Sequence, residues 1–259
     1  MARSIAFVVI LAAALLILII GIRKGTFSAA DTDPYGYVSE ADLIARGALR
    51  IEEPVVRSMP WPSVDWTFSP PGYRPSPDRR FIVPIYPAGL PLVMAVFQRV
   101  SGRTAVFYVV PMLGAIAVLM TGWLGARIDR PLTGVIAAAV LASSPSFLYQ
   151  VVQPVSDVAA TAWWTTALAF AVGGAPLGAG LAASLAVLTR PNLVPLVAVF
   201  AIFFARSSVS TRDGARRSSV RNAAVFVAGL VPGCLGVAAI DYHLYGSPLR
   251  SGYGDFSTL

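Results

Sequence analysis

Residues Ile5 to Ile22 form an apolar run without a single charged side chain, closed by Arg23-Lys24. A run of that length matches the hydrocarbon thickness of a bilayer, where backbone polar groups are satisfied only inside a helix or a closed barrel. A secretory signal shares the basic start, but its apolar stretch is about 7–15 residues and ends in a small-residue cleavage site. The run therefore reads as an uncleaved transmembrane helix. Further apolar blocks follow at 104–126, 131–150, 156–172, 175–189, 193–205 and 222–240. Only 13% of the residues are charged, against about 25% in soluble domains. The expectation is an all-α membrane protein of about seven spans, forming a single membrane domain over 1–259.

The net charge of +7 does not point to nucleic acid, because the basic residues sit at the ends of apolar blocks, where orientation signals lie. The single cysteine, Cys234, excludes an internal disulfide, and the single histidine, His243, excludes a His-pair metal motif. The loop between Arg206 and Arg221 carries five arginines against Asp213, which places it in the cytoplasm. By alternation the N-terminus is cytoplasmic, in a plasma or inner membrane. The long loop 23–103, the Gln153–Asp157 turn and the segment 241–259 then face outward. This requires the Pro-rich stretch 84–100 to lie at the membrane surface rather than cross it. The block 175–205 reads as two short spans, because Arg190-Pro191-Asn192 breaks the helix and an arginine in mid-bilayer is costly.

The outer loop is where polar chemistry gathers. Of 13 acidic residues, eight lie between Asp31 and Asp78. Ser39-Glu40-Ala41-Asp42 resembles a capping box and predicts a helix to about Leu49, lying flat on the membrane. Residues 54–91 are Pro-rich and aromatic, which predicts irregular backbone at the interface. Asp31 and Asp33 stand just beyond the first span, where a carboxylate can take a proton from an attacking hydroxyl or hold a divalent cation. The alternative is that one caps a turn and the other is solvated. Asp157 sits at the outer edge of a span, where Ser156 or Asp157 would also serve as a helix N-cap. Arg190, followed by Asn192, offers a fork of donors for phosphate, or simply snorkels. His243, Tyr245 and Arg250 follow the last span in a segment rich in aromatics and glycine.

Five segments together resemble the GT-C polytopic glycosyltransferases, in particular the family 39-like relatives of protein O-mannosyltransferases and aminoarabinose transferases. They are Asp33-Pro34-Tyr35-Gly36-Tyr37, Tyr86-Pro87-Ala88-Gly89-Leu90-Pro91-Leu92, Gln153 to Asp157, Thr189-Arg190-Pro191-Asn192 and Tyr245-Gly246-Ser247-Pro248-Leu249. The resemblance implies the first part of such an enzyme, with further spans after Leu259. It implies transfer of a sugar from a polyprenyl-phosphate donor to an acceptor hydroxyl at the outer face. Asp33 would be the general base, with Asp31 as fallback, and Asp157 would orient the acceptor. Arg250 or His243 would contact the lipid phosphate, and a divalent metal is compatible but not required. Many relatives carry Asp-Glu in the first loop where this chain has Asp31-Thr32-Asp33. Two other classes stay open: a transporter or flippase for a lipid-linked or anionic solute, and a non-catalytic membrane fragment. Span interiors nearly free of charge count against transport.

Overall fold

The computed structural model describes residues 2–52, 58–206 and 213–254. Glu53 of the acidic loop, residues 207–212 of the arginine-rich loop and residues 255–259 of the closing segment lie outside the described residues. The chain is an all-α membrane protein with one two-stranded ribbon. Among the described residues three helices are long and apolar enough to cross a membrane: Arg3–Lys24, Arg103–Ile128 and Ser219–Tyr245. A fourth crossing arises if a bent pair, α6 (Pro131–Ser143) and α7 (Pro145–Val151), counts as one span. The remaining apolar helices, α8 (Ser156–Val172), α9 (Pro176–Thr189) and α10 (Val197–Arg206), are shorter.

Helix α1 (Ala2–Lys24) packs antiparallel on α5 (Val106–Ile128). Ile10 lies against Gly122, Ile17 against Gly114 and Gly21 against Pro111, so the start of α1 meets the end of α5. A second core forms where α9 meets α11 (Asp213–Tyr245), around Ala183, Val187, Phe226 and Leu230. There Ser184 Oγ donates to the Leu230 carbonyl at 3.0 Å and accepts from the Gly233 amide at 2.5 Å. Leucines and valines such as Val8, Leu15, Val140 and Leu235 remain exposed, as a lipid-facing surface requires.

Three local features depart from the sequence reading. The first loop helix, α2 (Thr32–Ala45), begins seven residues before Ser39. Asp31 is its N-cap, in extended conformation, and its side chain accepts from the Thr32 amide at 2.7 Å. Ser39 is therefore a mid-helix residue whose hydroxyl bonds the Gly36 carbonyl and Tyr73 Oη. The block 131–150 bends by 65° at Ser144-Pro145, because proline offers no amide and pushes the preceding residue out of the helical region. The Pro-rich loop is not wholly irregular. It holds α3 (Val64–Thr67) and an antiparallel ribbon of β1 (Tyr73–Pro75) and β2 (Ile82–Pro84). The ribbon is fixed from far along the chain, since Tyr245 Oη donates to the Pro84 carbonyl at 2.6 Å.

Helix α4 (Gly89–Ser101) follows the ribbon. At 13 residues it is about 20 Å long, too short to cross. It packs on α2, where Gln98 Nε2 donates to Asp42 Oδ1 at 2.9 Å. Its first residue abuts the end of α9: a Cβ on Gly89 would overlap the Leu188 carbonyl carbon and the Thr189 amide. Both walls are helix backbone and cannot yield. Gly89→Ala is expected to destabilise the protein by about 1–3 kcal/mol, read as a lower melting midpoint in detergent.

Candidate active site at the loop-facing end of the bundle

Asp33, Tyr37 and Glu40 occupy positions i, i+4 and i+7 of α2 and so share one face. That face is turned inward, with Tyr37 and Glu40 buried. Asp33 Oδ1 accepts a hydrogen bond from Tyr86 Oη at 2.5 Å. The Tyr86 ring fits only because two glycines border it. A Cβ on Gly36 or on Gly72, which has φ +77, would strike the ring. The same ring lies 4.8 Å from that of Tyr37 and meets Tyr253 edge-on at 6.4 Å.

From Tyr37 the contacts lead into the bundle. Tyr37 Oη donates to Ser156 Oγ at 2.8 Å, and Arg190 Nε donates to the same oxygen at 3.1 Å. Arg190 Nη2 then pairs with Asp157 Oδ2 at 2.9 Å. Asp33 and Asp157 are thus joined at one end of the bundle through Tyr86, Tyr37, Ser156 and Arg190. Ser156 is not a cap: Val155 holds the N-cap position of α8 with no side-chain bond. Asp157 occupies the first turn, where the helix dipole favours a carboxylate. The arginine and aspartate side chains are 34% and 45% exposed. Water screens such a pair, so its net worth is at most about 1 kcal/mol and its value is positional.

Electrostatics marks the same cluster. Burial first, then the Asp33 carboxylate, pushes the Tyr86 phenol above its ordinary range, so at neutral pH it is a neutral donor. Burial likewise raises Tyr37, against the opposing hydrogen bond with Ser156. Tyr253 is raised by burial and by Asp33 and lowered by Arg190, so both charges reach its hydroxyl.

The other expected residues fall in different places. Asn192 is exposed on the 3-10 turn after Arg190. Tyr245 is buried and anchors β2. His243 is exposed in a separate cleft with Arg50, Asp78 and Phe81, where the Arg50 guanidinium lies 3.5 Å over the Phe81 ring. Arg250 is half-buried, two residues before Gly252, whose backbone presses on Ile85. Tyr37, Tyr253, Glu40 and Asp241 were not singled out from the sequence. Asp241 lines a narrow cleft of ≈ 30 Å³ with Tyr86, Ala88, Pro191 and Tyr245. An acid at one end of an apolar helix, the signal that marks Asp157 at the start of α8, marks Asp241 near the end of α11 as well. Tyr37 and Tyr86 lie in the Asp33–Tyr37 and Tyr86–Leu92 segments, but nothing local shows which groups the phenols bond.

A divalent cation takes about six or more oxygen ligands. Among the described residues no three of His, Cys, Asp and Glu converge on one point. Asp33 Oδ1 is engaged by Tyr86 and Asp157 Oδ2 by the Arg190 guanidinium.

Residues 68–172 match the family model for oligosaccharyl transferase STT3, N-terminal. The crystal structure of the Archaeoglobus fulgidus oligosaccharyltransferase in the apo form superposes with a TM-score of 0.66 at 18% identity, over 94% of this chain. This chain resembles the GT-C membrane glycosyltransferases in fold. It spans 31% of the length of that archaeal protein. No curated protein matches the sequence. The stretch matched by the family model runs from just after α3 to the end of α8. It therefore contains Tyr86, Ser156 and Asp157, three of the residues that build the cluster, while Asp33 and Arg190 flank it.

Glu40, two turns along α2 from Asp33, is 2% exposed and its Oε2 has no hydrogen-bond partner. Burial holds its carboxyl well above the usual carboxylate range. The folded chain therefore keeps a proton that the unfolded chain releases near pH 4.3. Its stabilising effect is complete below that pH and is lost as pH rises toward the raised folded value. Glu40→Gln removes this slope: melting midpoints should match wild type at about pH 4 and exceed it at about pH 8.

Proposed function

We propose that the protein is a membrane glycosyltransferase that moves a sugar from a polyprenyl-phosphate donor to an acceptor hydroxyl at the outer face of a plasma or inner membrane. The N-terminus would lie in the cytoplasm, as the arginine-rich loop before α11 suggests. The observation that carries the reading is the joining of Asp33 to Arg190 and Asp157 at one end of the bundle.

In this reading Asp33 takes the proton of the acceptor hydroxyl. The freed oxygen attacks the anomeric carbon from the face opposite the leaving group. The bond between that carbon and the phosphate oxygen breaks, and its electron pair departs with the lipid phosphate. The configuration inverts. Tyr86 holds Asp33 in place with a donated hydrogen bond, leaving Oδ2 to face the acceptor. Growing charge on the phosphate needs a cation aimed at it before the reaction starts. Arg190 fits: Ser156 and Asp157 hold its Nε and Nη2, while Nη1 takes no partner among the described residues. Asp157 acts through Arg190 as a positioning residue, and Asn192 on the next turn is near enough in sequence to meet the acceptor. Arg250, beyond α11, would hold the phosphate farther from the reacting carbon, whereas His243, in the last turn of α11, opens into the separate cleft.

The test is transfer of labelled sugar from a polyprenyl-phosphate donor in membranes holding the full-length protein. Asp33→Asn should lower the rate by roughly 10²–10⁴-fold at unchanged protein abundance, and Tyr86→Phe should lower it less. Wild-type transfer by Asp33→Asn would remove Asp33 as the base.

A further inference from the structure

At the other end of the bundle lies a cleft that the transfer reading does not use. Its walls are the first turns of α1, the last turn of α5 and the Asp129-Arg130-Pro131 link into α6. Because α1 and α5 are antiparallel, Arg3 shares this cleft with Arg127 and Arg130, about 32 Å along α1 from Lys24. The cleft holds ≈ 520 Å³, within the range of about 300–1,000 Å³ common to small-ligand sites.

Its chemistry is divided in two. One half is cationic. Asp129 is the single carboxylate lining it, and its Oδ2 is taken by Thr133 Oγ1 at 2.5 Å and lies 3.7 Å from Arg130 Nε. Arg3 and Arg127 meet no carboxylate among the described residues. Three guanidinium groups therefore face one acid that is already engaged. The other half is apolar, with Ile10 at its floor and Phe7 and Trp123 partly exposed along its wall. This wall runs on into the lipid-facing side of α1 at Val8 and Leu11. A soluble anion would use the first half and leave the second bare. A macromolecular acid would have to enter between helices at the bilayer edge.

We infer that this cleft binds the phosphate headgroup of an anionic phospholipid, in the leaflet opposite the Asp33 cluster, with the guanidinium forks on the phosphate and the lipid's glycerol and upper chains along Phe7 and Trp123. Guanidinium groups suit phosphate because their paired N–H donors match its oxygens, and basic pockets between spans are the places where lipid headgroups are held. An exposed tryptophan beside them fits the boundary between headgroups and chains. The site stands on its own residues and does not depend on which reaction the opposite end performs.

The test uses the full chain in nanodiscs of phosphatidylcholine with or without phosphatidylglycerol, reading lipid retained on the released protein by native mass spectrometry and the melting midpoint. Phosphatidylglycerol should be retained in preference to phosphatidylcholine and should raise the midpoint. The preference should fall about fivefold for each arginine removed, in Arg127→Gln alone and further in the triple variant Arg3→Gln, Arg127→Gln, Arg130→Gln. If the triple variant does not fold, Arg127→Gln and Arg130→Gln singly give the same reading. Equal retention of the two lipids, or an unchanged preference in every arginine variant, would overturn the inference. So would sodium phosphate that displaces phosphatidylglycerol and gives the same stabilisation, since the cleft would then be a free-anion site.

Discussion

A single hydroxyl ties together three segments that are distant along the chain. Ser156 Oγ accepts from Tyr37 on α2 and from Arg190 after α9, while its own residue opens α8. The oxygen is buried. Leaving either donor unmet there would cost about 1–3 kcal/mol, so the bonds select one arrangement of the helix ends over others of similar apolar burial. Everything chemical at this end follows from that choice. Arg190 is aimed, Asp157 is drawn to it, and α2 is held with its Asp33 end beside them.

The second constraint is steric. The Pro-rich loop would have little reason to order without Tyr86, whose ring is bordered by Gly36 and Gly72 and faces Tyr37. Gly89, three residues later, brings α4 against the end of α9, so the Tyr86-to-Gly89 stretch is placed from both sides. An aromatic ring in a glycine-walled slot can vary its position little, and the short hydrogen bond to Asp33 inherits that precision. The closing segment completes the enclosure: Tyr245 bonds the Pro84 carbonyl, Gly252 presses on Ile85 and Tyr253 meets Tyr86 edge-on.

The two ends of the bundle differ in kind. The loop-facing end concentrates phenols, carboxylates and one guanidinium in contact with one another. The opposite end gathers Arg3, Arg127 and Arg130, of which only Arg130 lies beside a carboxylate among the described residues. The arginine-rich end suits a seat in charged lipid.

Much of this was legible in the residues themselves. A charge-free run from Ile5 to Ile22 has to be a membrane helix, because lipid offers nothing else to bond its backbone. The break at Arg190-Pro191 follows from proline's missing amide, and the acids at Asp33 and Asp157 stand out because carboxylates are rare beside apolar spans. What nearby residues did not contain was partnership. Ser39 has the look of a helix start, yet Asp31 caps the helix earlier and Ser39 turns to Tyr73. Glu40 reads as part of a capping box, yet it lies in the core. His243 follows the last apolar block but opens into a cleft that includes neither Asp33 nor Arg190. The sequence by itself determined the apolar lengths, the helix breaks and the choice of acids, since these depend on residues a turn or two apart. Only the tertiary structure decided that Tyr37 reaches Ser156 and that Tyr86 reaches Asp33, because those bonds join positions 119 and 53 residues apart and exist only once the helices have packed.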